Sequence, residues 1–270
     1  MAKKRKLLKD FLVADSYHTN PDTPRLFIDK IALNTRWSFL LKYIPIVFQS
    51  RSIAQAGKYD YPEWISASLK IFRLIESCGG RFHITGLDNI INTKGPAVFI
   101  SNHMSTLETM IFPGIIAPKK NVTFVVKDTL VRHAIFGPTM RSRDPIVVTR
   151  TDPRADFKKV ISEGKEKLDQ GISVIIFPQS TRTVHFNPEE FSSLGVKLAK
   201  ANQVPIIPVA IKTDYWGNAR FLKAFGPIDR KQPIHMEFGE AIHVKGTGKE
   251  EHNYIIDFIS SRLEMWSKKS

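Results

Sequence analysis

Short β-branched and apolar runs, spaced by longer stretches that read as capped helices, constrain this chain more than any other feature. "AVFIS" (97–101), "VTFVV" (122–126), "PIVVT" (145–149), "ISVIIF" (172–177), "IIPVAI" (206–211) and "IHMEF" (234–238) succeed one another from about residue 81 onward. Several are apolar throughout rather than alternating, the pattern of strands covered on both faces. Between them, "DPRADFKKVISEGKEKLDQG" offers Asp152 as N-cap, Pro153 in the first turn and Gly171 as terminator. "NPEEFSSLGVKLAKAN" repeats the arrangement with Asn187, Pro188 and Glu190, which predicts a helix over that stretch. Such alternation predicts an α/β fold, a largely parallel sheet flanked by helices. In sheets of this kind functional groups gather at the carboxyl ends of the strands.

The chain ahead of residue 81 reads differently. Residues 1–30 are polar, with turn signals at "NPDTP", and a helix is predicted over about 31–56. A second begins at "DYPEW", where Asp60 is the N-cap, Glu63 its box partner and Pro62 lies in the first turn. Trp64, Ile65, Leu69, Phe72 and Ile75 fall on one face, and Gly79-Gly80 ends the helix. The expected organisation is an N-terminal amphipathic helical hairpin over 1–78, a membrane-association segment, followed by an α/β domain over 79–270. "RWSFLLKYIPIVF" (36–48) carries the aromatic and basic residues of a segment lying in a membrane interface. A helix packed on the core would show the same periodicity, so both readings stand. No apolar run reaches the roughly 18 residues a spanning helix needs. "KKRKLLKDFLVADS" lacks the apolar core and small-residue cleavage site of a secretory signal.

Charge narrows the partners. The formal net charge is +14, which favours polyanions: anionic lipid surfaces, phosphorylated substrates or nucleic acid. The excess begins with "KKRK" (3–6), itself readable as a solvated terminus, and then spreads along the chain. Nucleic acid rests on charge alone, since neither an RNA-binding aromatic signature nor a DNA-reading helix is visible, and no such partner is expected. Cys78 is the single cysteine, which excludes a disulfide scaffold and a cysteine-rich zinc site. The histidines other than His103 show no metal-ligand spacing, and His185 alone lies near a loop of interest. Glycine-rich nucleotide motifs and the G-x-S-x-G elbow are absent, so neither a nucleotide cofactor nor a serine-nucleophile hydrolase is expected.

Three strand ends carry the candidate chemistry. His103 follows "AVFIS", Arg150 closes "PIVVTR", and Gln179, Ser180, Thr181 and Arg182 follow "VIIF". A histidine, with an ordinary pKa of about 6.5, accepts a hydroxyl proton near neutrality when a partner fixes its tautomer. Glu108, five residues on, is the candidate partner. The same residues also read as a complete capping box, "STLE", with Ser105 as N-cap and Glu108 at the third helical position. Guanidinium groups suit phosphate through paired, charge-assisted hydrogen bonds. A base beside arginines therefore suggests deprotonation of a hydroxyl on a phosphorylated acceptor.

"NHMSTLE", "VVTR", "FPQSTRT" and "VPIIPVAI", in that order, resemble the motif blocks of the glycerolipid acyltransferases, the group that includes bacterial 1-acylglycerol-3-phosphate acyltransferases. The likeness covers about 83–245. It implies an O-acyltransferase that moves a fatty acyl group from an acyl-CoA or acyl-carrier-protein thioester to a lysophospholipid hydroxyl. His103 would be the general base and Glu108 its partner. Arg150 and Arg182 would bind the acceptor phosphate, helped by Lys127, with Gln179, Ser180 and Thr181 in the same substrate loop. No cofactor is implied, because the thioester is already reactive. The implied setting is peripheral, on an anionic membrane surface at its cytoplasmic face. Two residues depart from the family pattern: Glu108 stands for its aspartate and Gln179 for its glutamate. Those departures leave open a lipid-binding protein with weakened or absent catalysis, or a different acceptor.

Overall fold

A computed structural model of the chain describes residues 14–31, 35–219 and 223–268; the "KKRK" run lies outside them. The first part holds β1 (Tyr17–His18), α1 (Phe27–Ile31), α2 (Trp37–Gln55) and α3 (Tyr61–Ser77). There follow β2 (Phe82–Thr85), α4 (Leu87–Asn92), β3 (Val98–Ser101), α5 (Leu107–Ile116), β4 (Val122–Lys127), α6 (Asp128–Arg132) and α7 (Gly137–Arg141). The remainder is β5 (Ile146–Val148), α8 (Pro153–Asp169), β6 (Ser173–Ile176), α9 (Leu194–Asn202), β7 (Ile206–Lys212), β8 (Ile234–Phe238) and α10 (Lys249–Ser267).

One eight-stranded sheet runs β1-β2-β8-β7-β3-β6-β4-β5. From β7 to β5 every pairing is parallel, so the carboxyl ends of these five strands share one edge. β8 runs antiparallel to β7, β2 is parallel to β8, and β1 is antiparallel to β2. The α/β expectation therefore holds, with a mixed margin. β2 and β1 are not foreseen in the sequence, because "FHIT" alternates over only four residues and β1 has two.

The apolar runs are explained by two clusters, one on each face of the sheet. Phe99, Ile175 and Ile207 enter one with residues of α2, α3 and α5. Val98, Ile100, Val174, Ile176 and Ile206 enter the other with residues of α8, α9 and α10. A side-chain period of two then demands apolar residues at every position.

Capping follows the sequence at two helices. Asp60 accepts from the Glu63 N–H at 2.9 Å, and Asp152 from the Arg154 and Ala155 N–H groups at 3.0 Å. The stretch from Asn187 differs from expectation. Asn187 caps only a 3-10 turn over Pro188–Glu190, and α9 starts afresh at Leu194. Phe191 is the reason: it sinks into the second cluster against Phe186, which needs an extended backbone there.

Candidate active site

Parallel pairing brings the carboxyl ends of β3, β6, β5 and β7 together, and the polar side chains beyond them meet there. Asn102 makes the first turn after β3. Its amide donates to the Ile211 carbonyl at 2.8 Å, and its oxygen accepts from the Ile211 N–H at 2.9 Å, as a strand residue would. This clasp ties the loop to β7. His103 comes next, its side chain 14% exposed and its ring stacked on Phe177 at 4.3 Å.

Glu108 is fully buried in the first turn of α5. Its Oε1 accepts from His103 Nδ1 at 2.9 Å and from the Met104 and Ser105 N–H groups at 2.8 Å each. Its Oε2 accepts from the Ser105 hydroxyl at 2.9 Å and the Thr213 hydroxyl at 2.8 Å. Ser105 Oγ in turn accepts from the Leu107 N–H. The expected box is only half formed: the helix starts at Leu107 with Thr106 as N-cap, so Ser105 Oγ meets the Leu107 N–H instead of the Glu108 N–H, while Glu108 still reaches back to the Ser105 N–H with the carboxylate that holds His103. The methylene that distinguishes glutamate from aspartate lets the head group reach back along the loop.

The electrostatics follow from burial and neighbours. Burial holds the His103 imidazole below its ordinary range, helped by the guanidinium groups of Arg182 and Arg150 and opposed by Glu108. Burial works against ionisation of Glu108, but hydrogen bonds from His103, Ser105 and Thr213 outweigh it and hold the carboxyl below its usual range. At neutral pH the pair is a neutral imidazole on an ionised carboxylate. Because a carboxylate only accepts, Nδ1 must carry the proton, and the Nε2 lone pair is left available.

Arg150 follows β5 in a left-handed conformation, φ 61°, that non-glycine residues rarely adopt. Asp156, in the first turn of α8, holds it there by accepting from the Thr149 and Arg150 N–H groups at 2.8 and 2.6 Å. Such strain costs on the order of 1–3 kcal/mol and persists where surroundings over-determine it. Arg182 lies in the loop after β6, and its guanidinium donates to Thr106 Oγ1. Gln179 is buried, and its amide oxygen accepts from the His103 N–H at 2.6 Å.

His103, Glu108, Gln179, Arg182 and Arg150 are thus brought together. Ser180 and Thr181 are exposed on the same loop. Lys127 ends β4, paired in register with Val148, and its exposed side chain makes no hydrogen bond or ion pair among the described residues. His185 is exposed and, among the described residues, bonds only through its backbone, to Thr183. Sequence reasoning missed Thr213 and Asp156. Thr213 follows the "IIPVAIK" strand directly, so the strand-end rule that selects Arg150 would have selected it too. No group of three or more His, Cys, Asp or Glu side chains among the described residues is placed to hold a metal.

Comparison with known proteins gives a consistent result. The family model described as Acyltransferase matches residues 81–212. A 1-acyl-sn-glycerol-3-phosphate acyltransferase of Pseudomonas aeruginosa is 28% identical over 229 residues, covering 84% of this chain and 80% of the relative. A probable 1-acyl-sn-glycerol-3-phosphate acyltransferase of Mycoplasma genitalium is 27% identical, covering 64% of this chain and 65% of its own length. The crystal structure of PlsC, the 1-acyl-sn-glycerophosphate acyltransferase of Thermotoga maritima, superimposes with a TM-score of 0.60 at 18% identity. That match covers 98% of this chain and 97% of the other, and it shows the shared fold.

Proposed function

We propose that the chain is an O-acyltransferase of the glycerolipid acyltransferase family and that its acceptor is a lysophospholipid, 1-acylglycerol-3-phosphate first among them. The acyl donor is a thioester of coenzyme A or acyl-carrier protein. The observation that carries the mechanism is the 2.9 Å bond between His103 Nδ1 and the buried Glu108 carboxylate at the end of β3. His103 Nε2 takes the proton of the acceptor hydroxyl as its oxygen attacks the thioester carbonyl. Glu108 stabilises the imidazolium that forms. Collapse of the tetrahedral adduct breaks the carbon–sulfur bond, and the imidazolium returns its proton to the departing thiolate. No covalent enzyme intermediate and no cofactor is needed.

Arg150 and Arg182 take the acceptor phosphate. Both guanidinium groups lie near enough to His103 to depress its pKa, so a phosphate held between them would set the glycerol hydroxyl beside the base. The neutral Gln179 adds no further carboxylate to Glu108 and Asp156, which already act on the two arginines. The departures at 108 and 179 leave the His–Glu bond formed, which favours a working enzyme over an inactive lipid-binding scaffold.

The setting is a peripheral one at an anionic membrane surface, on the cytoplasmic face where such thioesters are made. No helix among the described residues is long and apolar enough to cross a membrane. Support comes from α2, whose Trp37, Leu41, Ile44 and Phe48 form one exposed row, with Trp37 59% and Leu41 62% accessible. An apolar groove of about 940 Å³ lies beside it between α2 and α3, away from His103, with Lys42 and Lys70 among its lining residues.

The test is transfer of label from an acyl thioester to a panel of lysolipids, read by mass spectrometry. Wild-type protein is expected to acylate at least one phosphate-bearing acceptor, and folded His103→Ala to lose the activity. Full activity in His103→Ala would overturn the mechanism.

A further inference from the structure

We infer that Thr213, at the carboxyl end of β7, is a positioning residue that locks the Glu108 carboxylate against His103, the third link of a His103–Glu108–Thr213 chain. Its kinetic consequence rests on the acyl-transfer reading above; its structural consequence does not.

The two oxygens of Glu108 are held by different parts of the molecule. Oε1 takes three N–H donors, and all of them belong to residues 103–105, the loop that carries the base itself. Those bonds would be kept if loop and carboxylate shifted together. Oε2 takes two hydroxyls. Ser105 again comes from the loop, whereas Thr213 is the one donor, among the described residues, that reaches the carboxylate from another element, at 2.8 Å. The two hydroxyl oxygens lie 3.1 Å apart, so they close a ring of contacts on Oε2.

Thr213 is well fixed for this task. It is fully buried, and its N–H faces Met104 Sδ at 3.1 Å. β7 is in parallel register with β3 up to Ser101 and Val209, and Asn102 extends that register to Ile211. A carboxylate's final torsion is broad and two-fold, so contact at one oxygen alone leaves it free to turn. Hydroxyls from two elements on Oε2 remove that freedom. They also satisfy the second oxygen of a charge that no water reaches, where a missing partner is costly.

The sign of the chemical effect can be worked out. Hydroxyl donors draw charge from the carboxylate. Without Thr213 that charge concentrates on Oε1, which favours an imidazolium opposite it, and the carboxyl itself protonates more easily. Both routes raise the pH at which the pair takes up a proton. Arg182 and Arg150, the charged groups that also act on His103, push the other way and are unchanged in the variant.

The test is a titration of the His103 imidazole by nitrogen and carbon NMR in the full-length protein, its signals assigned by their absence in His103→Gln. Thr213→Val is expected to raise the imidazole pKa by at least about half a unit. It should also lower kcat about tenfold with both KM values within about twofold, and move the acid limb of kcat upward by the same interval. Thr213→Ser, which keeps the hydroxyl, should restore all three. Thermal midpoints by circular dichroism confirm folding, and Thr213→Ala replaces the valine variant if that one does not fold. An unmoved imidazole pKa in the folded hydroxyl-less variant, or a serine variant no better than it, would overturn the inference. If wild-type protein acylates none of the lysolipids, the acyl-transfer reading falls, and the titration still decides whether Thr213 governs the pair.

Discussion

At the residue scale the proposed mechanism gives the Glu108 carboxylate two duties that a neutral amide can only half reproduce. A cap needs an acceptor oxygen for the Met104 and Ser105 N–H groups, and Gln supplies one. An orienting partner needs negative charge opposite the imidazolium, which Gln lacks. Glu108→Gln is therefore expected to keep the fold while kcat falls by at least about a hundredfold, as in other triads with the acid neutralised. Glu108→Asp, one methylene shorter, cannot span the same set of donors and should lose a large part of the activity. Near-wild-type turnover in Glu108→Gln, measured with a labelled thioester, would reduce the residue to a cap. Gln179 gives the pH counterpart. Its oxygen holds the His103 N–H at 2.6 Å, a contact that glutamate can make equally well. Gln179→Glu adds a negative charge beside the base, which favours the imidazolium and raises the His103 pKa. On the proposed mechanism His103 works only when neutral, so the acid limb of the pH–rate profile should move to higher pH while the plateau stays within a fewfold. A limb that stays in place would show that the new side chain does not face the imidazole.

At the element scale α2 has two faces with opposite fates. Phe39, Leu40, Tyr43 and Val47 are buried, and Trp37, Leu41, Ile44 and Phe48 point outward. Replacing Trp37 and Phe48 together by serine should leave the thermal midpoint almost unchanged, since exposed side chains away from special features shift stability by about 0.5 kcal/mol or less. Partition onto anionic vesicles should fall by roughly tenfold or more, as expected for the loss of a couple of kcal/mol of apolar contact. Unchanged vesicle sedimentation would remove the outer row from the membrane reading. The same helix shows what the sequence makes legible. Its apolar character is plain from "WSFLLKYIPIVF", but core and outer positions are equally apolar, so no periodicity separates them. In the sheet, continuous apolar runs marked the strands because both faces are covered, and polar residues just past them marked Arg150 and Arg182. β2 escaped because four alternating residues ending at Gly86 resemble a turn as much as a strand. The break before α9 escaped because Asn187 and Pro188 form a valid helix start, and only the burial of Phe191 cuts it short. The His103–Glu108 pair was legible from spacing and resemblance, whereas Thr213 joins it across 105 residues of chain, a contact that register alone creates.

At the scale of the whole molecule the hairpin and the sheet share one interior. A division into 1–78 and 79–270 would let residues 79–270 remain soluble alone, and the packing across that boundary argues against it. Phe72 of α3 stacks on Phe82 of β2 with ring centroids 3.9 Å apart. Trp216 is enclosed by Phe39 and Tyr43 of α2 at 4.7 and 5.0 Å, and Trp64 meets Phe124 at 6.0 Å. Polar bonds cross the same boundary: the Tyr61 hydroxyl is 2.6 Å from both the Val122 N–H and carbonyl, and Ser68 Oγ accepts from the Gly114 N–H at 2.8 Å. Exposing even a few of these aromatic side chains costs about 1.5–3 kcal/mol each, against a total stability of about 5–15 kcal/mol for a whole domain. The full chain should therefore unfold in one cooperative transition, and a fragment of residues 79–270 should aggregate or show no cooperative transition at all. A soluble fragment with a sharp thermal midpoint would separate the two parts. The shared interior has a functional side as well. Tyr43, fully buried, lies close enough to Arg182 for its guanidinium to oppose the effect of burial on the phenol. A hairpin that settles on a lipid surface through its outer row would thereby hold Arg182, the arginine proposed to take the phosphate, from behind, and vesicle contact and acceptor affinity would be coupled through α2.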